Sequence, residues 1–399
     1  MNQVHPLIVS RFVLVTVARL PWCVATVAAL VLLLSPARAQ AGGLRLAAEF
    51  PDVTWNGLTR KLSAQRFVYV GVQADRSQKG QQAVAHYRLR DLQERKVVDL
   101  PIPFRALPKS HAQVLGRTDP LGEVVHTDGQ VTSLTYNATK GYQTTATYFC
   151  RYDHRTHSFS ELVKLTDWND SQHLEDIGFD PLDRYFYYAT ALNPAGNVKE
   201  AGYTALVLGR VDLHTRAIDW TMKVELPKRA WPLRLTSGPK VFSADGRKLA
   251  LVEYNDRGLQ GDHPANPQQQ VLVVDIPSRQ VDRYPAPLTA YGVMFSRDDR
   301  YLILGSNQTG EIVRIDLQKK RVDRRVKAKK LIHQLVPTAS GESFLVLSNT
   351  QLASPKVVEV RRVADLSLQT SIPMRLLYAG NDGVAPYGIA GVGGRALLL

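Results

Sequence analysis

The 399-residue chain contains only two cysteines, Cys23 and Cys150, and this scarcity excludes a fold stapled by several disulfides. Cys23 lies in a segment that we predict to be removed, so no internal disulfide is expected. Cys150 stands inside a strand-like run, Thr147–Tyr152, which predicts a small buried apolar side chain and not a nucleophile. A chain of this length can be held together by its hydrophobic core alone.

The motifs of common hydrolases, metalloenzymes and nucleotide-binding proteins are also missing. The sequence has no Gly-x-Ser-x-Gly, no His-Glu-x-x-His, no phosphate-binding glycine loop and no paired cysteines. The closest histidines, His154 and His157, lie in a polar hairpin that favours a solvated turn over a metal site. Asp298 and Asp299 occupy a turn of the repeat described below. We therefore predict no metal and no cofactor.

Long amphipathic helices are absent from the pattern as well. Beyond residue 39 the apolar runs are short, β-branched or aromatic, and bounded by turn residues, as in Val271–Ile276 and Phe344–Leu347. Runs of this kind predict strands. The predicted class is all-β.

The first 39 residues have the pattern of a targeting segment. Arg11 and Arg19 are the only charges before an apolar run over Val24–Leu34, and a small-x-small cleavage pattern ends at Ala39. We predict cleavage after Ala39, a periplasmic or secreted protein, and one domain over residues 40–399. An uncleaved anchor is the alternative, although the run is shorter than the roughly 20 residues of a membrane span.

Positive charge is in excess. The formal net charge is +14, and three arginines of the targeting segment account for +3 of it. Such an excess favours anionic partners, but the densest basic stretch, Lys319–Lys330, has no interleaved aromatics for base stacking, so nucleic acid is not favoured. The repeat places this stretch on the last strand of its unit, where lysines often prevent edge-to-edge pairing, and that structural interpretation is preferred.

Three segments repeat one pattern: an aromatic anchor, a polar turn with Asp and Arg, and an apolar strand. They are Phe179–Phe186, Phe242–Leu249 and Phe295–Leu302. A unit this short buries its apolar face only by stacking on copies of itself.

A second pattern follows in three units: a strand, an Asp, an apolar residue, a polar turn and another strand. It occurs over Val211–Ile218, Val274–Val281 and Ile315–Val322. The Asp is expected to accept hydrogen bonds from the backbone N–H groups of a tight hairpin. Each unit is thus predicted to be a four-stranded antiparallel meander, which is one blade of a β-propeller.

The spacing of the anchors predicts seven blades, with six or eight as alternatives. Further anchors are expected near Val336 and Ala390, and residues 58–103 and 104–166 form two upstream units. The last unit has only two strands, and we predict that Leu44–Phe50 supplies the missing half. Closing one blade with N- and C-terminal strands removes an open sheet edge.

The pattern Phe-Ser-x-Asp-Gly-Arg before a strand, followed by a strand ending in x-Asp-Leu/Ile-x-x-x-x-Val, resembles the YVTN or lactonase-like seven-bladed propeller superfamily. The resemblance covers residues 170–399 by motif and 43–169 by spacing only. The Gly-His and Trp-Asp dipeptides of WD-repeat blades are missing. The resemblance implies a fold and a scaffold with many functions, not one activity.

In such a fold, the segment that enters the first strand of each blade comes from the mouth of the central channel. Residues shortly before each anchor are therefore predicted to face one shared funnel: Trp55, His173, Glu175, Arg234, Tyr291, His333, Asp382 and Tyr387. Polar and aromatic groups that converge on a concave mouth are typical of a binding site. The alternative is a channel mouth that is polar because water fills it.

Two functions are favoured at this point, and a subunit of a larger redox assembly, for which the sequence shows no cofactor ligand, is a third alternative. The first is an exported binding or scaffold module, a monomer that presents its funnel and loops to an envelope protein, a peptide or a glycan. The second, suggested by the resemblance, is a lactonase-like hydrolase. In that case Glu175 and His173 or His333 would activate water, and Arg234 would stabilise the developing negative charge.

Overall fold

A computed structural model shows the architecture of the chain. It describes residues 9–17, 44–54, 59–61, 66–69, 84–91, 96–103, 125–127, 129–140, 143–167, 172–192, 204–226, 240–252, 270–286, 290–338, 340–348, 357–373, 389–392 and 395–398. All regular structure within these ranges is β. The all-β prediction is therefore confirmed.

The described strands follow the chain in this order: β1 Val9–Val17, β2 Leu44–Thr54, β3 Thr59–Lys61, β4 Arg66–Tyr69, β5 Val84–Asp91, β6 Lys96–Pro103, β7 Val125–Thr127, β8 Val131–Lys140, β9 Gln143–Asp153, β10 Ser158–Phe159, β11 Val163–Asp167, β12 Gln172–Phe179, β13 Tyr185–Leu192, β14 Ala205–Asp212, β15 Ile218–Glu225, β16 Lys240–Phe242, β17 Lys248–Val252, β18 Gln270–Asp275, β19 Gln280–Pro285, β20 Ala290–Phe295, β21 Tyr301–Ser306, β22 Glu311–Asp316, β23 Arg321–Lys327, β24 Ile332–Pro337, β25 Ser343–Ser348, β26 Val357–Arg362, β27 Leu368–Pro373, β28 Ile389–Val392 and β29 Arg395–Leu398.

These strands form antiparallel sheets that we number along the chain. Sheet I is β3–β6, sheet II is β7–β11, and sheets III to VI are the meanders β12–β15, β16–β19, β20–β23 and β24–β27. Sheet VII has the strand order β2-β1-β29-β28. Sheets I and II match the two predicted upstream units. Blades of four antiparallel strands are thereby confirmed, and the number of blades in the ring stays a prediction.

The core lies between neighbouring sheets and not within any one of them. One apolar cluster joins sheets III and IV, another joins IV and V, and a third joins V and VI. In the last of these, Ile303 and Ile312 of sheet V pack with Phe344 and Val346 of sheet VI, and all four side chains are fully buried. A single four-stranded sheet therefore depends on its neighbours for burial, as the short repeat predicts.

The first strands of consecutive sheets contact one another. Contacts run from β16 to β20, from β20 to β24, from β24 to β28, and from β28 to β3 of sheet I. Innermost strands packed in series around an axis are the arrangement of a β-propeller. The link from β28 to β3 brings the last sheet of the chain against the first.

The first repeated motif forms a four-residue turn whose hydrogen bonds recur from sheet to sheet. The Oγ atoms of Ser243 and Ser296 accept the N–H of Lys248 and Tyr301 at 2.8 and 2.9 Å. Asp180 replaces the serine in sheet III, and its Oδ1 accepts the N–H of Tyr185 at 2.9 Å. The fourth residue of each turn has a positive φ; these residues are Asp183, Gly246, Asp299 and Gly341.

The same turn begins at Thr338 in sheet VI, where Thr338 N–H donates to Ser343 O at 3.0 Å. The residue in the anchor position is therefore Pro337, one residue after the predicted Val336. Pro337 is exposed and has no aromatic ring, so the aromatic anchor of the other units is missing there.

The second motif forms the hairpin between the third and fourth strands, as predicted. Asp316 Oδ1 accepts the N–H groups of Gln318 and Lys319, both at 3.0 Å. Asp212 makes the equivalent pair of bonds at 2.7 and 2.8 Å. These hydrogen bonds favour the ionised carboxylate and lower the pKa of Asp316, while the charge of Arg300 adds to the effect.

Sheet VII contains strands from both ends of the chain, which confirms closure by N- and C-terminal strands. Leu44–Thr54 belongs to this sheet, as predicted, but it does not pair directly with β29. Strand β1 lies between them, with Val15 opposite Ala396 and Leu46 opposite Val15 on the other side. The run Val13–Val17 is rich in β-branched residues, so it fits a strand as well as it fits a targeting segment.

In the part of the chain that the structure describes, no helix has the length and apolar character needed to cross a membrane.

Candidate functional site

The innermost strands of sheets V and VI carry a β-bulge at the same place in the repeat. In β20 the pairing register passes from Ala290 to Gly292, so Tyr291 is the extra residue of the bulge. In β24 it passes from Ile332 to Gln334 and leaves His333 in the same position. A bulge bends the strand and re-aims the extra side chain.

Both bulged residues stand five positions before the first residue of the turn, Ser296 or Thr338. The equivalent residue of β12 is Glu175, but the irregularity in that strand falls later, at Ile177 between Asp176 and Gly178. Sheets V and VI therefore share a geometry that sheet III does not have.

Glycines bring the two bulged strands close together. A Cβ on Gly292 would lie 2.9 Å from Leu335 Cγ and 3.1 Å from Leu335 N, and a Cβ on Gly305 would lie 2.6 Å from Ile332 Cγ2. Contacts this short leave no space for a side chain. Strand β20 thus packs on the backbone of β24, and β21 packs on the Ile332 side chain of β24. These contacts fix the two bulged strands relative to each other.

Tyr291 is distinctive on its strand because it is accessible. Its exposed fraction is 38%, whereas Ala290, Met294 and Phe295 of the same strand are at most 5% exposed. An aromatic ring at an accessible position of an innermost strand offers a flat apolar face and a hydroxyl group together.

Polar atoms with unused hydrogen-bonding capacity lie at the same end of these two sheets. Ser306 pairs with Ala290 and Ser348 pairs with Ile332, so the ends of β21 and β25 adjoin the bulges. Directly after Ser306, the buried Asn307 Oδ1 and Gln308 Nε2 have no hydrogen-bond partner among the described residues, and neither has Ser348 Oγ. Buried groups of this kind call for a bound water or ligand.

The turn that holds Asn307 and Gln308 is itself well ordered by hydrogen bonds. Ser306 Oγ accepts the N–H of Gln308 at 3.2 Å and that of Thr309 at 3.1 Å. Gly310 O then accepts the N–H of Ala328 at 2.8 Å, which ties the turn to the segment after β23. The amide groups are therefore presented by a fixed backbone.

We define the bulge site as Tyr291, Asn307, Gln308 and Ser348, beside the bulge of β24. Its side chains are a phenol ring, two amides and a hydroxyl, which can stack on a planar or sugar-like ligand and form neutral hydrogen bonds with it. Within the described ranges, no group of three or more His, Cys, Asp or Glu side chains could hold a metal ion.

The predicted funnel residues are only partly placed. His173 and Glu175 lie in β12, Tyr291 in β20 and His333 in β24, so all four are on first strands of their sheets, as expected. The described side chain among them is that of Tyr291. Trp55, Arg234, Asp382 and Tyr387 lie outside the described residues. The convergence of the eight residues on one funnel stays a prediction, as does the grouping required for hydrolysis.

Asn307, Gln308 and Ser348 were not predicted. The sequence signal was the polar run Asn307-Gln308-Thr309 immediately after an apolar strand, but a polar turn after a strand is ordinary. Only the burial of the amide atoms distinguishes this turn.

Several other candidates are structural. Cys150 is fully buried, and burial raises the pKa of its thiol far above the usual range, so it is no nucleophile. His157 is exposed in the predicted hairpin, at a φ of 53°, and Asp153 Oδ1 accepts the N–H of Arg155 at 2.8 Å there.

Asp299 occupies a turn of the repeat, as predicted. Burial, together with the charge of Asp245, raises the pKa of Asp299 to about 6.

Among the described residues, the most deeply buried ion pair joins Glu359 and Arg361 of β26. Arg361 NH2 lies 2.6 Å from Glu359 Oε2, and both side chains are at most 6% exposed. The remaining groups of the pair bind backbone: Glu359 Oε1 accepts Lys329 N–H at 2.7 Å, and Arg361 donates to Leu366 O at 2.8 Å and to Lys327 O at 3.1 Å. The pair therefore connects sheet V to sheet VI. Each side-chain nitrogen and oxygen of the pair is hydrogen-bonded within the protein, so the pair is structural.

The described sheets are those of a β-propeller-type protein, and the bulge site lies where its strands β20 and β24 begin. No protein-family model matches the sequence, and no curated protein matches it. The resemblance to the YVTN or lactonase-like superfamily therefore has no independent support.

Two solved structures show distant similarity. The hydrazine synthase of Kuenenia stuttgartiensis superposes with a TM-score of 0.48 at 12% identity, over 81% of this chain and 87% of that chain. An uncharacterised protein of Listeria monocytogenes EGD-e superposes with a TM-score of 0.39 at 12% identity, over 60% of this chain and 62% of that chain. At this distance neither supports a statement about function.

Proposed function

We propose that the protein is a binding module that holds a small neutral ligand at the bulge site, such as a glycan or a peptide segment of an envelope component. The observation that carries the proposal is the pair of equivalent bulges on touching inner strands, next to buried amide and hydroxyl atoms with no described partner. Irregular pairing and unused polar groups are both costly, and they persist where they serve a site.

The described side chains of the site suit binding. A phenol, two amides and a hydroxyl can stack on a ligand and exchange hydrogen bonds with it. The propeller would act as a rigid scaffold, and membership in the YVTN or lactonase-like superfamily belongs to this proposal.

We further propose that the protein acts outside the cytoplasm as a monomer, after cleavage behind Ala39. The cleavage pattern and the charged segment before the apolar run support export. In that case the mature chain lacks β1, and β2 is expected to move to the edge of β29. The mass of the mature protein tests this step: a chain beginning at Gln40 supports it, and retention of residues 1–39 contradicts it.

Binding is best tested with immobilised protein and two probe sets, a panel of neutral oligosaccharides and a peptide pool from digested cell envelope. Retention of a probe by the native protein, with loss in Tyr291→Ala and in Asn307→Ala, is expected. Ile218→Ala is the matched control, because Ile218 has the same 38% exposure but lies on outer strand β15.

If the two site variants retain every probe as the native protein does, the bulge site is not the binding site. Cleavage of a retained ester or lactone would instead favour the hydrolase hypothesis.

A further inference from the structure

The outer edge of sheet V differs in charge from the other described outer strands. Strand β23 carries four basic residues, Arg321, Arg324, Arg325 and Lys327, and one acidic residue, Asp323. The equivalent strand of sheet III carries one basic and two acidic residues, that of sheet IV one of each, and that of sheet VI none. Protection of an edge against pairing would be needed equally in all four sheets, so it does not account for this difference.

The single acidic side chain of β23 is already used inside the protein. Asp323 Oδ1 and Oδ2 accept hydrogen bonds from Arg314 Nε and NH2 at 2.9 and 2.7 Å. Arg314 is 5% exposed and also donates to Val363 O, in the next sheet, at 2.7 Å. Asp323 is therefore committed to a buried arginine and does not neutralise the exposed bases of the edge.

The exposed bases of β23 are largely free of acidic partners. Arg325 pairs loosely with Glu311, at 3.5 Å, and both groups are partly exposed. Within the described residues, Arg321, Arg324 and Lys327 form no ion pair; Arg324 does act at a distance on Asp365, whose pKa is lowered first by hydrogen bonds from Ser367 and further by the charges of Arg362 and Arg324. All four basic residues of the strand are exposed.

The bases flank both faces of the edge. Arg324 is opposite Arg314, whose side chain reaches sheet VI, whereas Arg325 is opposite Val313, which belongs to the cluster shared with sheet IV. Arg321 lies opposite Asp316 and therefore shares the face of Arg324. Lys327 lies opposite Glu311 and shares the face of Arg325. Strand β23 also ends the strand order of its sheet, so its outer N–H and C=O groups pair with no described strand.

We propose that this edge binds an extended acidic peptide segment of a partner protein, which adds to sheet V as a further strand. In an added strand, successive side chains point to opposite faces, so acidic residues on either face meet arginine or lysine. Apart from Lys327 O, which accepts a hydrogen bond from Arg361, the outer backbone groups of β23 supply hydrogen bonds for affinity, and the charges supply selectivity. Nucleic acid is disfavoured because no aromatic side chain stands among the bases for stacking.

The test uses two capped peptides with the seven-residue length of β23. One alternates Glu and Thr; the other alternates Glu and Pro, has the same charge, and lacks the N–H groups that a strand needs. Binding is measured by fluorescence anisotropy at low salt. We expect the Glu-Thr peptide to bind several-fold more tightly than the Glu-Pro peptide, and both to weaken as salt is added.

A quadruple variant, R321Q/R324Q/R325Q/K327Q, is expected to bind the Glu-Thr peptide about tenfold more weakly, since each exposed ion pair contributes only a small part. The matched control, R155Q/R216Q/K223Q/R247Q, removes the same charge from exposed positions off this edge and should retain most of the binding.

Equal binding of the two peptides, or tighter binding of an oligothymidine of similar charge, would show a general polyanion surface and overturn the proposal. An equal loss in the control variant would do the same. If the quadruple variant does not fold, the comparison of the two peptides on the native protein decides the question. A result here is independent of the bulge site, which lies on the innermost strands.

Discussion

The Glu359–Arg361 pair gives a sharp test of how the sheets are joined. Glu359 is completely buried, and it accepts hydrogen bonds from Arg361 Nε at 2.7 Å and from Lys329 N–H at 2.7 Å. The substitution Glu359→Ala removes both acceptors at once. It leaves the guanidinium of Arg361 buried without its counter-charge, between sheets V and VI.

Breaking a buried pair from one side destabilises a protein by about 3–5 kcal/mol, because the remaining charge is left in a poorly solvating interior. Unfolding entropy is about 2.1 cal/mol/K per residue, which gives roughly 0.8 kcal/mol/K for a chain of this size. The melting temperature of Glu359→Ala is therefore expected to fall by about 4–6 °C. Urea unfolding should show a lower midpoint with an unchanged slope.

The chain contains a matched control. Lys223 Nζ and Glu225 Oε1 are also 2.6 Å apart, but their side chains are 58% and 69% exposed. Glu225→Ala should cost less than about 1 kcal/mol, because water screens this pair. The double variant Glu359→Met/Arg361→Met should recover much of the lost stability, since it leaves no buried charge.

Equal losses in Glu359→Ala and Glu225→Ala would refute this reasoning. A double variant less stable than Glu359→Ala would show instead that the hydrogen bonds of the pair to the backbone of sheets V and VI matter more than its charges.

Three further predictions concern single residues elsewhere in the described sheets. Gly209→Ala should destabilise the protein by about 1–3 kcal/mol in urea unfolding, because the new Cβ would overlap the buried Tyr188 ring; no change would mean that the ring can move aside. Asp299→Gly should stabilise the fold, since it relieves a φ of 54°. Because the folded-state pKa of Asp299 is raised from 3.8 to about 6, its protonated form contributes stability that is lost as the pH rises through this window. The gain from the substitution should therefore be larger above pH 6, and a gain independent of pH would contradict the assigned pKa. Gly292→Ala should weaken ligand retention at the bulge site as well as stability, by pushing β20 from β24; a loss of stability with full retention would separate the site from this contact.

The fold was largely predictable because its signals are local. Ser243, Ser296 and Asp180 bind backbone groups only a few residues away, and the Asp of each hairpin does the same. Such motifs are visible along the sequence, and their repetition implies stacking. The position of β1 was not predictable in this way, because pairing between strands far apart in the chain depends on which edge is left open.

The candidate site was predictable in part. The repeat predicts which residues begin the first strand of each sheet, so Tyr291 and His333 could be singled out from the sequence. The bulge at Tyr291 arises from a shift of register between β20 and β21. The burial of the Asn307 and Gln308 amide atoms depends on packing around the turn. Neither leaves a pattern in the residues themselves.

Closure of the ring is the central claim, and one distance tests it most directly. Spin labels are placed at Arg60 in β3 and Ala390 in β28, two strands that contact each other, in a chain carrying Cys23→Ser; the buried Cys150 stays unlabelled. Sheets packed face to face are about 10 Å apart, so a closed ring predicts a separation below about 20 Å. An open stack of the described sheets would place the two labels about 60 Å apart, and a distance of that order would contradict the propeller.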